Sequence, residues 1–227
     1  MVSLAGPPPQ GTPVPSLVTR IAAGESVELV WLNLDGGLTA RLGADRYLKW
    51  SSTGSLAPER ERLQWAAAYH PVPRVLEHGV DGEAEWFVTA AIDGASAVAM
   101  PPVVAARALG AGLRALHENL SVDDCPFSWS PRDRGAVDEP PADDLLVVCH
   151  GDACVPNTLV GADREWMAHV DLGALGVADR WADLAVASAS LGWNFGPGLE
   201  EAFFAAYGVE PDEERIRYYR NLWELPA

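Results

Sequence analysis

Three polar residues in the second half of the chain have the types and spacing that phosphoryl transfer requires. His150-Gly151-Asp152 follows the apolar run Leu145 to Cys149, Asn157 comes shortly afterwards, and Asp171 follows a second strand-like run. Phosphoryl transfer needs a carboxylate that orients the attacking hydroxyl group, and oxygen ligands that fix Mg²⁺ on a triphosphate. Asp152 suits the first task, and Asn157 and Asp171 suit the second. Asp and Asn are also ordinary turn residues, so it is the ordered set that favours a kinase.

A lysine and a glutamate in the first half of the chain suit nucleotide binding. Lys49 is the only lysine and lies in the strand-like segment Tyr47 to Trp50. A kinase needs such a lysine to hold the α- and β-phosphates, and a helix glutamate to hold the lysine. Glu59 is the predicted partner, and Glu61 is the alternative. A lysine on a sheet edge that faces water is the competing interpretation.

A pair of glycines precedes the strand of Lys49. Gly36 and Gly37 would let backbone N–H groups approach phosphate oxygens, and Thr39 would add a hydroxyl donor. Asp-Gly-Gly between two strands is also typical of a plain hairpin turn, and the spacing differs from the G-x-G-x-x-G of protein kinases. Their position ahead of Lys49 predicts that Gly36, Gly37 and Thr39 bind ATP.

Two segments resemble the aminoglycoside phosphotransferases, in particular the branch that acts on the 3′ hydroxyl. Val147 to Asn157 resembles their catalytic loop, and Val170 to Gly173 together with Gly176 to Ala185 is similar to their metal-binding segment. With weaker matches, the resemblance covers most of the chain from about Val27 onward. It implies a protein-kinase-like fold, ATP as phosphoryl donor, Asp152 as the base, and Asn157 and Asp171 as Mg²⁺ ligands.

The resemblance also implies a cationic small-molecule acceptor. Arg217 to Ala227 is similar to the ending of the family, which carries acceptor-binding acidic residues, and Glu224 is the residue that matches. Two features depart from the pattern. Ala174 stands where the 3′ branch often has arginine, and the segment Asp123 to Asp144 is shorter than the acceptor-binding insert of the family. A kinase for a macrolide, an amino alcohol or a sugar is therefore the alternative.

Two further functions are weaker interpretations. A nucleotide-binding protein without turnover has usually lost one of the four residues of the set Lys49, Asp152, Asn157 and Asp171, all of which are present. A phosphohydrolase with two metal ions would need more His and Asp ligands than the sequence places nearby.

The elements that must position these residues change character along the chain. Residues 1–15 are rich in Pro and Gly and are expected to form a mobile leader. Residues 16–93 show short β-rich runs and one helical stretch, Glu59 to Tyr69, so they predict a small antiparallel sheet that binds nucleotide. Residues 94–227 are mainly helical, beginning with Val103 to Leu120. This order predicts an α+β, two-lobed fold with a cleft between a nucleotide lobe and a catalytic lobe.

The composition of the chain limits the classes of molecule that it is expected to bind. Lys and Arg total 16 against 32 Asp and Glu, which gives a net charge of -16, so nucleic acid and anionic membranes are disfavoured and a cation is favoured. Three cysteines make a poor disulfide framework, and Cys149 and Cys154 are interpreted as packing residues. We expect a cytoplasmic location, because the sequence lacks a long apolar run and a signal-like start. Asp179 and Asp183 are expected to anchor the metal-binding segment.

Overall fold

The structure is a computed structural model that describes residues 6–33, 36–136 and 138–224. The chain forms two compact units. The first comprises Met1–Trp65 and Pro73–Ile92, and the second comprises Ala66–Val72 and Asp93–Ala227. Among the helices of the described ranges, none combines the length and the apolar character that a membrane span requires.

A five-stranded antiparallel sheet forms the framework of the first unit. Its spatial order is β1-β2-β3-β5-β4. Buried and half-buried residues alternate along β2, as expected for a strand that packs one face on a core. The strands are β1 (Val27–Leu32), β2 (Leu38–Leu42), β3 (Arg46–Ser51), β4 (Val75–Asp81) and β5 (Ala84–Ala90).

Two helices accompany this sheet. Helix α1 (Ser16–Ala22) begins directly after Pro15, and its Val18 and Ala22 join the core that Leu38 and Leu48 form on one face of the sheet. The sequence patterns did not predict this helix. Helix α2 (Ala57–Ala66) connects β3 to β4 and carries Glu59 in its first turn.

Four helices build most of the second unit: α3 (Pro102–Asn119), α4 (Trp181–Phe195), α5 (Glu200–Tyr207) and α6 (Glu213–Glu224). The helix predicted over Val103 to Leu120 corresponds to α3, and Leu109, Leu113 and Leu116 form a fully buried apolar stripe along it. Gly110 lets α3 approach α5 closely: a Cβ atom at this position would lie 2.4 Å from the carbonyl oxygen of Phe203.

Five short strands carry the loops of the second unit. Strands β7 (Leu146–Cys149) and β10 (Gly176–Asp179) form an antiparallel pair, and β6 (Ala95–Ser96), β8 (Thr158–Val160) and β9 (Trp166–His169) form a second small sheet. The segment that contains Asp152 connects β7 to β8, and Asp171 follows β9. The sequence analysis did not predict β10.

Candidate active site

The loop after β7 packs closely against another segment of backbone at Gly151. Gly151 has a φ of 80°, and a Cβ atom there would lie 2.1 Å from the carbonyl oxygen of Ala174. A side chain at position 151 would therefore meet the backbone, and only glycine combines this φ with this close approach. The loop is fixed immediately before Asp152.

Two side chains of the same loop hold the carboxylate of Asp152. The amide Nδ2 of Asn157 donates to Oδ2 of Asp152 at 3.2 Å and to its backbone oxygen at 3.0 Å. The thiol of Cys154 donates to Oδ1 at 3.1 Å. Burial raises the pKa of the Cys154 thiol well above its ordinary value, so that the thiol keeps its proton and remains a donor. Sequence reasoning missed this contact, because it treated Cys154 only as a packing residue.

Asn157 and Asp171 lie at the same end of the β8–β9 ladder. Thr158 pairs with His169 in this ladder, and the N–H of Val170 donates to the carbonyl oxygen of Asn157 at 3.0 Å. Asp171, the next residue, has a φ of 63°, in the left-handed region that Asp tolerates better than most residues. The structure therefore places the two predicted metal ligands on neighbouring segments.

A buried carboxylate from α4 holds the backbone of the catalytic loop. Asp183 is fully buried, and its two oxygens accept hydrogen bonds from the N–H groups of His150 at 2.6 Å and of Gly151 at 2.9 Å. The expectation that Asp183 anchors the metal-binding segment was therefore wrong. The first turn of α4 directs this carboxylate to the catalytic loop instead, across a sequence separation that local patterns do not reveal. Asp179 accepts from the N–H of Trp181 at 2.8 Å, at the start of α4.

His117 supports the same carboxylate. Its Nε2 donates to Asp183 at 3.1 Å, and its Nδ1 accepts from the hydroxyl group of Tyr207 at 2.8 Å. Burial by itself would raise the pKa of Asp183, but the hydrogen bond from His117, the electrostatic interactions with His117 and His150, and the N–H of Gly151 together lower it. Asp183 is therefore ionised at neutral pH. His117 therefore acts as a buried support for Asp183.

His150 links the catalytic loop to the metal-binding segment. Its Nδ1 accepts from the N–H of Asp152 at 3.3 Å, so its Nε2 carries the proton and donates to the carbonyl oxygen of Val170 at 3.0 Å. The His150 ring thus connects the loop that carries Asp152 to Val170, the residue before Asp171. His150 therefore holds the loop through hydrogen bonds.

Two more histidines pack beside His150. His70 and His169 are buried, their rings stack at 5.3 Å, and Nε2 of His70 lies 3.0 Å from Nδ1 of His169. Burial lowers the pKa of His70 to about 4, with smaller effects from the charges of His150 and His117. Burial also lowers the pKa of His169 well below its ordinary value. Both rings are therefore neutral in the folded protein at neutral pH.

The histidine pair predicts a loss of stability on mild acidification. Below pH 6.5 the unfolded chain protonates His70, whereas the folded chain does so only near pH 4, so stability falls as the pH drops through this window. Between pH 7 and 5 we expect His70 alone to lower the free energy of unfolding by about 2 kcal/mol. Urea unfolding at the two pH values measures it. The His70→Gln variant should lose much of the difference, and the exposed His78→Gln should keep it; equal pH dependence in all three proteins would contradict this assignment.

In the first unit, Lys49 bonds to Glu59. The Nζ atom of Lys49 lies 2.6 Å from Oε1 of Glu59, and both side chains are largely buried. The alternative partner, Glu61, is exposed and lies 3.4 Å from Arg60. Thr39 is the cross-strand neighbour of Lys49, so the two residues share one face of the sheet. The predicted nucleotide-binding threonine and lysine are thereby adjacent.

The remaining predicted site residues are only partly described. Gly36 is exposed with a φ of 80°, and the N–H of Asn33 donates to the carbonyl oxygen of Gly37 at 2.8 Å. This pairing closes a turn between β1 and β2, which suits a hairpin and a phosphate loop equally. Residues 34 and 35 lie outside the described ranges. Glu224 ends α6, and its side chain also lies outside them.

Comparisons with known proteins identify relatives over nearly the whole chain. The model of the phosphotransferase enzyme family matches residues 18–145 and 136–219. An aminoglycoside 3′-phosphotransferase from Streptomyces fradiae is 35% identical over 221 residues, which cover 77% of this chain and 81% of the relative.

Solved structures agree with the sequence relatives. A crystal structure of an aminoglycoside 3′-phosphotransferase of type VIII superposes with a TM-score of 0.76 at 30% identity, covering 92% of this chain and 97% of that chain. The aminoglycoside phosphotransferase APH(3'')-Id from Streptomyces rimosus, in complex with ADP and streptomycin, superposes with a TM-score of 0.71 at 27% identity, covering 92% and 98%. The predicted α+β, kinase-like fold class is confirmed, and the chain belongs to the aminoglycoside phosphotransferase family.

Proposed function

We propose that this protein transfers the γ-phosphoryl group of ATP, bound with Mg²⁺, to a hydroxyl group of an aminoglycoside. Family membership supports the reaction class, and a relative that holds ADP and streptomycin supports the donor and acceptor classes. The observation that carries the proposal is the catalytic loop itself. Its Asp152 carboxylate is oriented by hydrogen bonds from Cys154 and Asn157. Asn157 and Asp171, the two proposed oxygen ligands, lie at the same end of the β8–β9 ladder.

Asp152 is the group that accepts the proton of the acceptor hydroxyl. Hydrogen bonds from Cys154 and Asn157 fix the direction of its carboxylate, so little reorganisation is needed when the hydroxyl group arrives. In the loop that carries it, the N–H of Gly151 donates to Asp183, and the ring of His150 donates to the carbonyl oxygen of Val170. These bonds supply the fixed geometry on which phosphoryl transfer depends.

Asn157 and Asp171 fit a magnesium ion by their donor chemistry. Because Nδ2 of Asn157 donates to Asp152, the carbonyl Oδ1 is the atom that the amide offers to a metal ion. An amide oxygen and a carboxylate are hard ligands of the kind Mg²⁺ prefers, with water and phosphate oxygens completing the shell. When bound, the ion would neutralise charge on the phosphates. The protein's part is to hold both oxygen ligands on the rigid end of the β8–β9 ladder.

Lys49 would hold the α- and β-phosphates, and Glu59 would keep its ammonium group in place. We expect Lys49→Ala to weaken Mg-ATP binding or to lower kcat, with kcat/KM for ATP reduced roughly 10- to 100-fold by loss of a charge-assisted contact. Glu59→Gln should produce a smaller defect of the same kind, because the lysine loses its carboxylate partner at 2.6 Å. Steady-state kinetics with ATP as the varied substrate measure both.

The matched control for this pair is Glu61→Gln on the same helix. Its carboxylate is exposed and 3.4 Å from Arg60, so kinetics close to those of the wild type are expected. Wild-type kinetics in the Lys49 variant would remove Lys49 from the nucleotide site. A defect in Glu61→Gln equal to that in Glu59→Gln would reverse the assignment of the partner.

The acceptor is a small molecule, and the acidic balance of the chain favours a cationic one. A net charge of -16 draws in a polyamine such as an aminoglycoside over long distances. Glu224 at the end of α6, together with Gly36, Gly37 and Thr39 on the nucleotide side, completes the set of proposed binding residues. Which hydroxyl group is modified depends on how the acceptor rings are seated beside Asp152.

The test is Mg-ATP turnover, followed as ADP release, against a panel of aminoglycosides with and without a 3′ hydroxyl group, with streptomycin included. ADP release stimulated only by 3′-hydroxyl compounds would support both the reaction and the position. Stimulation by streptomycin alone would support the reaction and move the position elsewhere. ADP release that no aminoglycoside stimulates would contradict the proposed acceptor class, and macrolides, amino alcohols and sugars would be tested next.

A further inference from the structure

An arginine from the shortened segment ahead of β7 is stacked on tryptophan. The guanidinium carbon of Arg134 lies 4.2 Å from the ring centre of Trp223 on α6 and 5.6 Å from that of Trp129. Both distances are within the range of cation–π attraction. Trp129 is itself buried, and its ring lies 6.2 Å from that of Tyr219, so that the aromatic surface has a firm backing.

Hydrogen bonds fix the backbone around Arg134 and thereby orient its side chain. Residues Pro131–Arg134 form a 3-10 helix, and the N–H of Arg132 donates to the hydroxyl group of Ser130 at 3.2 Å. The N–H of Trp129 donates to the carbonyl oxygen of Val177 on β10 at 3.1 Å, which ties the start of the segment to the sheet. The sequence patterns did not predict this short helix.

The far end of Arg134 reaches the catalytic loop. Its NH2 group donates to the carbonyl oxygen of Gly151 at 3.0 Å, immediately before Asp152. The N–H of the same glycine donates to Asp183. The peptide groups of Gly151 are thus held by a buried carboxylate through the N–H and by a guanidinium through the carbonyl oxygen.

The charge of Arg134 is placed among carboxylates. Burial lowers the pKa of its guanidinium, while the charges of Asp152 and Asp183 act in the opposite direction. An arginine keeps its proton throughout the working pH range, so the group remains a cation. Ala174, the residue whose carbonyl oxygen lies against Gly151, adds no charge of its own. Arg134 therefore brings a fixed cation to the backbone of Gly151, next to Asp152 in the sequence.

We propose that Arg134 is a positioning residue for phosphoryl transfer: stacked on Trp223 and bonded to Gly151, it holds the catalytic loop so that Asp152 is presented to the acceptor. The inference rests on the proposed function for its catalytic consequence, whereas the holding of the loop stands on the contacts alone. The proposal also assigns a role to the shortened segment Asp123 to Asp144. The segment supplies one anchored cation beside the loop and joins the loop to α6, the helix that ends in Glu224.

The test compares Arg134→Ala with Arg132→Ala. Arg132 lies on the same 3-10 helix but is exposed and bonds Glu139, so it matches the change of charge without touching the loop. For Arg134→Ala we expect kcat to fall about 10- to 100-fold with KM for ATP within about twofold, because a misplaced base slows the reaction without changing nucleotide contacts. Added methylguanidine should restore part of this kcat, and Arg134→Lys should lie between the wild type and the Ala variant.

Hydrogen exchange of the peptide that covers residues 147–157 gives a readout that needs no acceptor. Faster exchange in Arg134→Ala than in Arg132→Ala supports the holding of the loop, even if no aminoglycoside proves to be a substrate. Unchanged exchange, or a wild-type kcat in an active enzyme, overturns the proposal. A loss of kcat that follows a fall in Tm and that neither methylguanidine nor Arg134→Lys relieves also overturns it, since a purely structural role would behave in that way.

Discussion

Replacing Asp152 with Asn is expected to abolish phosphoryl transfer and to leave nucleotide binding nearly intact. The amide has the shape of the carboxylate but cannot accept the proton of the acceptor hydroxyl at neutral pH. A positioned general base contributes about 10²- to 10⁴-fold, so kcat should fall by about that factor. The contacts of Asp152 are with residues of its own loop, Cys154 and Asn157. Its removal should therefore leave the phosphate contacts in place.

Two measurements separate the roles of Asp152. ADP release in the presence of the best acceptor gives kcat, and calorimetric titration with Mg²⁺ and a non-hydrolysable ATP analogue gives the nucleotide affinity. Asp152→Ala should behave like Asp152→Asn, and the exposed Asp133→Asn serves as the control for loss of one carboxylate. A large loss of nucleotide affinity in both Asp152 variants would contradict its assignment as the base and would place it among the metal ligands.

The proximity of the candidate site residues in the second unit could be predicted from the sequence, because these residues lie in short segments. Asp152 and Asn157 belong to one loop, and Asp171 follows a strand that pairs with the end of that loop. Adjacent antiparallel strands bring such residues together without any knowledge of the remaining fold. The β-rich first part and the helical second part of the chain follow in the same way from the periodicity of apolar residues, and the fold class that they predict is confirmed.

Contacts across long sequence separations could not be predicted. Glu59 was the predicted partner of Lys49 and the structure pairs the two, but Glu61 stayed open as an alternative because the sequence does not fix which face of α2 packs toward the sheet. Asp183 reaches a loop more than 30 residues earlier, and Arg134 reaches Gly151 from a segment with no periodic pattern. Such contacts are set by tertiary packing, so they appear only in the structure.

A further miss, helix α1, has a local physical reason. Its residues follow a Pro-rich stretch and carry no side-chain cap, so that the usual start signals are absent. The helix is stabilised by burial of Val18 and Ala22 on the sheet rather than by its own propensity. Cys154 was interpreted only as a packing residue, because the sequence does not show that the loop directs its thiol to Asp152.

The largest loss of stability is expected from Asp183→Ala. The fully buried carboxylate accepts from two backbone N–H groups and from His117, so its removal leaves three buried donors without an acceptor. Breaking a buried charged network by removal of one partner costs about 3 to 5 kcal/mol. For a chain of this size that corresponds to a fall in Tm of roughly 6 to 20 °C. Thermal unfolding followed by circular dichroism measures the change.

Asp183→Asn tests whether shape or charge is responsible for this stability. The amide preserves the volume but replaces one acceptor oxygen with an N–H donor, which must face another donor, either in the loop backbone or on His117. Its stability should therefore lie closer to that of Asp183→Ala than to that of the wild type. Because the pKa of Asp183 is lowered by folding, its contribution is fully present at neutral pH and is lost only as the pH falls through that lowered value.

The control for both Asp183 variants is Glu118→Gln. Glu118 is exposed and forms an ordinary ion pair with Arg114 one helical turn away, so the change should stay within about 0.5 kcal/mol of the wild type. The folded fraction of each Asp183 variant should also show a reduced kcat, because the backbone before Asp152 has lost its buried acceptor. An Asp183→Ala protein within 1 kcal/mol of the wild type would mean that water or a neighbouring group replaces the carboxylate, and that the loop is held chiefly from the side of Arg134.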